Sequence, residues 1–185
     1  MRPLPTENEL LTVEDYRATL EGSRYQLVEG ELIMSPAPNL YHQTVTGNIY
    51  VLLRQHVTAA SLGRVYLAPC DVYLSPHDVV QPDVLFVTQA RTGILTEDGV
   101  HGAPDLVIEV LSPATAHLDA RPKHLLYARH GVKELWLVDP LLLQVQIYDF
   151  ARDMAKPVQL VDESENFATG LLPGLIIPAA EVFKR

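Results

Sequence analysis

Glu109 lies in the middle of a strongly apolar stretch, PDLVIEVLSP (residues 104–113). A short run that is rich in branched apolar residues predicts a strand buried on both faces of a sheet. An ionised carboxylate in such a strand costs free energy unless it pairs with a cation or binds a metal. The glutamate is therefore a candidate for chemistry, and a strand-end residue that reaches solvent is the alternative.

Asp83 repeats this pattern in QPDVLFV (residues 81–87), as an acid at the start of an apolar strand. The two strands follow each other along the chain and are joined by a loop, so we expect them to be neighbours in one sheet. Two carboxylates on the same side can bind Mg²⁺, with the carbonyl oxygen of Val110 as a third ligand. Such an ion generates a hydroxide nucleophile and neutralises the charge of a phosphodiester, so the pair predicts phosphodiester hydrolysis.

A cation beside the attacking water would assist this reaction. Lys123 follows the Glu109 strand in the first turns of a predicted helix, from which its long side chain could enter the same pocket; a solvated surface lysine is the alternative. Lys133 is a weaker candidate for the same role. Asp71, on a strand near Asp83, is either an outer acid of the site or an exposed surface residue.

The predicted elements place both acids on strands of one sheet. Apolar residues at helical spacing predict helices over residues 41–62 and 115–130, and Pro122 fits only near a first turn, so the regular part of the second helix is expected to begin around residue 120. Short apolar runs predict the strands. The order is helix-strand-strand-strand-helix-strand, with strands at residues 65–74, 79–87, 105–111 and 134–138.

Further strands are predicted at both ends of this core. They include a hairpin over residues 25–34 that turns at Glu29–Gly30, and a strand over 144–150 that pairs back on its predecessor. Lesser strands are predicted at 156–161 and 175–177, and residues 88–102 are predicted as a loop. The layout is an α/β fold with a mixed central sheet flanked by helices.

Length and composition predict one domain, residues 12–185, after a flexible N-terminal arm, residues 1–11. The formal net charge of −9 argues against nonspecific nucleic-acid binding but leaves room for a local basic groove. No apolar run has membrane-spanning length and no signal peptide is evident. The single cysteine, Cys70, suits a reducing, cytoplasmic compartment.

The positions of Asp83 and Glu109 within this order of elements resemble the PD-(D/E)XK restriction-endonuclease-like superfamily. More closely, the chain resembles small bacterial endonucleases of the Uma type, long classified as a domain of unknown function, over about residues 12–183. The resemblance rests on YQLVEGELIMSPAPNLYHQ, QPDVLFV, PDLVIEVLSPAT, YARHGVKELWLVDP and LPGLIIPAAEVF. It implies a restriction-endonuclease-like core in which Asp83 and Glu109 bind the metal. Leu111 occupies the usual lysine position, which implies that Lys123 has taken over that role from the helix.

The resemblance also implies two auxiliary residues, Glu31 and His42. His42 would position water, ligate a metal or contact a phosphate, and a hydrogen bond at the start of the long helix is its alternative. For Glu31 the alternative is solvation at a strand edge. Gln26 departs from the pattern, because an acid is expected at that position.

The function predicted from these residues is metal-dependent endonuclease activity on nucleic acid, with DNA as the expected substrate. Mg²⁺ is the expected cofactor and Mn²⁺ its substitute. A homodimer is expected, because a duplex has two strands and one domain offers one site. Two alternatives stay open: a noncatalytic nucleic-acid-binding or interaction module that retains the nuclease fold, and a metal-dependent hydrolase of a small molecule.

Overall fold

The computed structural model describes residues 10–19, 25–112 and 123–185. Most of the predicted arm (1–11) and the first part of the predicted helix 115–130 fall outside these ranges. The helices are α1 Val13–Arg17, α2 Leu40–Ala59, a 3₁₀ helix Gln89–Ile94, α3 Lys123–His130 and α4 Ala179–Phe183. None of these described helices has the length and apolar character needed to cross a membrane.

The strands in the same part of the chain form two larger sheets and one small one. Their bounds are β1 Tyr25–Val28, β2 Glu31–Met34, β3 Gly63–Leu67, β4 Val72–Ser75, β5 Asp78–Val80, β6 Val84–Thr88, β7 Leu95–Thr96, β8 Gly99–His101, β9 Leu106–Val110, β10 Glu134–Asp139, β11 Gln144–Asp149, β12 Gln159–Asp162, β13 Asn166–Phe167 and β14 Ile177–Pro178. The central sheet has the order β12-β11-β10-β9-β6-β3, the second sheet β2-β1-β5-β4-β8-β7, and β13 pairs with β14.

The central sheet contains the predicted core order, which runs α2, β3, β6, β9, α3, β10. The β3–β6 and β6–β9 pairs are antiparallel, whereas β9 and β10 are parallel. Parallel neighbours need a crossover between them, and α3 lies in that connection. The predicted α/β fold with a mixed central sheet is confirmed.

Helix α2 begins where Asn39 caps it. The Asn39 side chain accepts a hydrogen bond of 2.8 Å from the backbone N–H of His42, which satisfies one of the unpaired donors of the first turn. The helix packs on the central sheet through buried residues spaced four apart, which are Val45, Ile49, Leu53 and Val57. The cap and this apolar stripe together fix the position of His42 relative to the sheet.

Two predicted continuous strands, 65–74 and 79–87, are wrong, because each is divided between the two larger sheets. The first becomes β3 and β4 and the second β5 and β6, with β4 and β5 in the second sheet. Pro69 and Pro82 lie in the two breaks, and proline has no N–H to donate to a strand ladder. The predicted loop 88–102 also contains more structure than expected, namely the 3₁₀ helix, β7 and β8.

Strand β9 is buried on both faces, as its composition predicts. Leu106 and Ile108 pack in the cluster that contains the apolar face of α2, whereas Val107 packs in the cluster that contains Leu126 and Tyr127 of α3. Successive strand residues project to opposite faces. The sheet is therefore covered by α2 on one side and by α3 on the other, and a polar side chain on β9 can reach solvent only at the end of the strand.

The start of β9 is anchored by Asp105, a fully buried carboxylate. Its Oδ1 atom forms ionic contacts with two cations, at 2.7 Å from Lys133 Nζ and 3.1 Å from Arg91 Nη1, without the alignment of a hydrogen bond. Its Oδ2 atom accepts the N–H of Thr88 at 2.8 Å. Burial by itself raises the pKa of Asp105, but the lysine, the Thr88 backbone and the arginine outweigh burial, and the pKa is lowered. Lys133 therefore lies at the opposite end of β9 from Glu109.

The hairpin of β1 and β2 turns at Glu29 and Gly30, as predicted. Both residues have positive φ, 51° and 78°, which is typical of a two-residue type I′ turn. The carbonyl of Gly30 accepts the N–H of Leu11 at 2.9 Å. The last residue of the predicted arm is thus hydrogen-bonded to the hairpin.

Candidate active site

Strands β6 and β9 place Asp83 and Glu109 opposite each other. Val84 pairs with Ile108 in the antiparallel ladder, so one residue further along each strand the aspartate faces the glutamate. The two side chains are 20 % and 12 % exposed, which makes them a mostly buried acid pair that is open to solvent at the sheet end.

Asp83 is held by both neighbouring strands. Its Oδ2 atom accepts the backbone N–H of Val110 at 2.8 Å, and its backbone carbonyl accepts the N–H of Ala68 at 3.0 Å. The carboxylate is therefore oriented by the backbone of Val110, the last residue of β9.

Glu109 is held by α3. The hydroxyl of Tyr127 donates to Glu109 Oε1 at 2.6 Å, and Lys123 Nζ lies 3.5 Å from the same oxygen. Residues four apart on a helix share one face, which explains why both side chains reach this acid. The predicted lysine thus lies beside the strand glutamate. Tyr127 was missed from the sequence, where it counted only as an apolar core position; its spacing of four from Lys123 is the signal that could have found it.

His42 contacts the other acid from the first turn of α2. Its Nε2 atom is 3.3 Å from Asp83 Oδ2, and its Nδ1 atom is 3.4 Å from the hydroxyl of Thr46, one helical turn further on. Burial lowers the pKa of His42, but the hydrogen bond and charge of Asp83, the backbone of Val110 and the charge of Glu109 outweigh it, so the pKa is raised. These contacts stabilise the protonated ring relative to an unperturbed histidine.

The oxygen atoms at this sheet end fit Mg²⁺. The ion typically binds through one or two carboxylates and substrate phosphates and keeps several waters, so Asp83, Glu109 and the carbonyl of Val110 are a sufficient set. Within the described ranges, no cluster of three or more histidine, cysteine, aspartate or glutamate side chains could form a complete metal cage.

Glu31 stands apart from these residues. It is exposed on β2, opposite Val28, in an outer strand of the second sheet. In the described part of the chain, no hydrogen bond or ion pair joins Glu31 to the other five predicted site residues.

Gln26, the position where an acid was expected, supports the segment before Asp83. It is buried, and its side-chain oxygen accepts the backbone N–H of Gln81 at 3.2 Å. The side chain of Gln81 donates in turn to Asp71 at 2.7 Å, and Asp71 also accepts the hydroxyl of Tyr16 at 2.8 Å. Asp71 is thus half-buried and hydrogen-bonded, in a network that includes Gln81, two residues before Asp83.

We expect Tyr127→Phe to lower the free energy of unfolding by about 1.5–3 kcal/mol, because it removes a short hydrogen bond to a charged, mostly buried acid. Urea titration followed by circular dichroism measures the change. Tyr148→Phe is the matched control, because the hydroxyl of Tyr148 donates only to the neutral side chain of Gln146, at 3.3 Å. Equal losses in the two variants would mean that the Glu109 contact contributes no more than a neutral one.

A comparison with protein families identifies the chain. Residues 13–180 match the model of a family described as "Uma2: Putative restriction endonuclease". The chain belongs to the Uma2 family. The resemblance inferred from the sequence motifs is confirmed.

A solved structure supports the fold of this Uma2 chain. It is similar to a protein from Anabaena variabilis ATCC 29413, described as "a putative nuclease belonging to DUF820", with 20 % identity and a TM-score of 0.75 over 94 % of this chain and 97 % of that chain. This likeness shows that the two chains share one fold. A comparison with curated proteins gave no match.

Proposed function

We propose that this Uma2 protein is a metal-dependent endonuclease that hydrolyses phosphodiester bonds of nucleic acid, with DNA as its substrate. The observation that carries the proposal is the opposition of Asp83 and Glu109 on β6 and β9, with Lys123 of α3 at 3.5 Å from the glutamate. Membership of a family described as restriction endonucleases supports the reaction class. The proposed cofactor is Mg²⁺, for which Mn²⁺ can substitute.

Asp83, Glu109 and the carbonyl of Val110 would hold the ion. When bound, the ion supplies a hydroxide nucleophile near neutral pH and neutralises charge on the phosphodiester. The two strands keep the acids opposed without help from a substrate, because the N–H of Val110 already fixes one Asp83 oxygen. This preorganisation avoids reorganisation when the reaction starts.

Lys123 and His42 would act on the substrate from opposite sides of the sheet. The ammonium of Lys123, beside Glu109, is placed to orient the attacking water and stabilise negative charge that develops on the phosphoryl oxygens. The ring of His42, beside Asp83, is placed to contact a phosphate oxygen. Tyr127 would hold Glu109 in position. Glu31 keeps only the auxiliary role that the resemblance implies.

The proposal includes a homodimer in the cytoplasm. Each chain contributes one pair of opposed acids, and cleavage of both strands of a duplex needs two. Cys70 is a free cysteine, which suits a reducing compartment.

The test is cleavage of labelled duplex DNA, single-stranded DNA and single-stranded RNA by the purified full chain with Mg²⁺ or Mn²⁺. We expect cleavage of DNA that EDTA abolishes. Lys123→Met should lower the rate about 10²–10³-fold, which is typical for removal of one group that stabilises transition-state charge. Lys156→Met is the matched control, since Lys156 lies on an exposed loop after β11 and its loss should leave the rate unchanged.

Absence of cleavage with every substrate and both metals would overturn the proposal. If nucleic acid were then still bound, the noncatalytic module would be the function that remains. Equal loss of rate in Lys123→Met and Lys156→Met would remove Lys123 from the reaction.

A further inference from the structure

Helix α2 and the edge strand β3 enclose a groove of about 660 Å³. The α2 side and the turn that follows it contribute residues three or four apart, and β3 contributes consecutive ones. The lining residues are Tyr50, Arg54, Val57, Thr58, Ser61, Gly63, Arg64, Val65, Tyr66 and Gln89. No carboxylate occurs among these described lining residues, although the protein as a whole is acidic.

The charge of this surface departs from that of the rest of the protein. The net charge is −9, yet the sequence contains neither aspartate nor glutamate between Glu31 and Asp71. Arg54 and Arg64 both lie in that interval and both are exposed. Within the described residues neither forms an ion pair with a carboxylate; Arg54 donates to the hydroxyl of Tyr50, and Arg64 donates to a backbone carbonyl.

Two other exposed arginines, by contrast, have acidic partners. Arg17 pairs with Asp98 at 2.7 Å and Arg129 with Glu29 at 2.6 Å. A guanidinium group presents a fork of N–H donors that matches a phosphate. The two groove arginines are therefore cations that an external anion can neutralise.

Two tyrosine rings accompany these cations. Tyr66 is 38 % exposed on β3, and the Tyr50 ring has the guanidinium carbon of Arg54 at 5.6 Å from its centroid. Grooves that combine positive charge with exposed aromatic rings bind single-stranded nucleic acid by phosphate contacts and base stacking. The groove has both features.

The groove is formed by α2 and β3, the element that carries His42 and the element that precedes Ala68. Tyr66 lies two residues before Ala68, and the N–H of Ala68 donates to the backbone carbonyl of Asp83. On the helix, Arg54 follows His42 by three turns, which is about 18 Å at 1.5 Å per residue. The groove is therefore separate from the acid pair but lies on the same helix as His42.

We propose that the α2–β3 groove binds a single-stranded segment of nucleic acid outside the cleavage site. Arg54 and Arg64 contact phosphates, and Tyr66 stacks with a base. The volume lies in the range of pockets that hold one drug-sized ligand, which corresponds to about one or two nucleotides and not to the width of a duplex. The inference rests on the proposed function for its substrate class, but the binding it describes requires no metal.

The test is binding without cleavage, measured by fluorescence anisotropy of a labelled oligothymidylate in EDTA and compared with a duplex. We expect the single strand to bind more tightly than the duplex. The double variant Arg54→Gln, Arg64→Gln should weaken binding at least about tenfold and reduce the slope of log K against log salt by about 1.4, as two lost phosphate contacts imply. Tyr66→Ala should weaken binding about fivefold or more, and Tyr66→Phe should not.

The matched control is Arg152→Gln with Lys156→Gln, which makes the same change in net charge on an exposed loop far along the chain. Equal weakening in the two double variants, tighter binding of the duplex, or no binding by the unmodified protein would overturn the inference. These results leave the nuclease proposal standing, because cleavage is measured separately with Mg²⁺. Conversely, a failure of the protein to cleave with Mg²⁺ would not overturn the binding proposal, because binding is measured in EDTA.

Discussion

Asp83→Asn and Glu109→Gln are each expected to lower Mg²⁺-dependent cleavage about 10³-fold or more. Each substitution keeps the shape of the side chain and removes one negative charge from the opposed pair. Charge stabilisation by a bound metal amounts to several kcal/mol, and each 1.36 kcal/mol corresponds to about tenfold in rate. Gel-based cleavage assays measure the rate, and calorimetric titration with Mn²⁺ measures the metal affinity, which should fall in both variants.

Asp98→Asn is the control for this pair of variants. It makes the same chemical change at an exposed carboxylate that pairs with Arg17, and we expect its rate and metal affinity to equal those of the unmodified protein. Thermal unfolding checks that all three variants fold. Unchanged cleavage in either Asp83→Asn or Glu109→Gln would show that the opposed acids are not the metal site.

Asp105→Ala is expected to lower the free energy of unfolding by about 3–5 kcal/mol, the cost of breaking a buried ion pair by removal of one partner. The carboxylate is fully buried and contacts Lys133, Arg91 and the N–H of Thr88. Its loss leaves a void and an unpaired backbone donor between β6 and β9. Urea titration measures the effect, and Asp98→Ala, at a surface ion pair, should change the stability by less than about 1 kcal/mol.

The contribution of Asp105 should also depend on pH, with a definite sign. Its pKa is lowered in the folded protein from its ordinary value of 3.8. The stabilisation is therefore complete well above pH 3.8 and is lost as the pH falls through the lower pKa of the folded state. The difference in stability between the unmodified protein and Asp105→Ala should be constant near neutral pH and shrink in acid; a difference that grows in acid would contradict this assignment.

The central sheet could be predicted because its strands carry strong local signals. The apolar run around Glu109 indicates a strand that is buried on both faces, and the spacing of apolar residues in α2 indicates a helix with one buried face. The order of the core elements follows from these signals. The assignment of strands to two different sheets could not be predicted. A run such as residues 79–87 alternates in the same way whether it pairs with one partner strand or with two, and only the paired structure shows that Pro82 separates β5 from β6.

The acids of the candidate site were predictable and their hydrogen-bond partners were less so. A charged residue in an apolar strand is conspicuous, which is why Asp83 and Glu109 stood out. A tyrosine in an apolar helix face is not conspicuous, because its ring alone explains why it is buried. Its hydroxyl does not alter the spacing of apolar residues along the helix. Asp105 was hidden for a similar reason, since a proline and an aspartate before a strand are also typical of an exposed turn.

Tyr127 has a consequence for how this protein would respond to mutational scanning. Its ring is fully buried beneath the sheet, while its hydroxyl binds Glu109. Most substitutions at this position would lower protein abundance, so a screen that scores survival would classify Tyr127 as a packing residue and would overlook its part in the site. Phenylalanine is the informative exception, because it keeps the ring and removes only the hydroxyl.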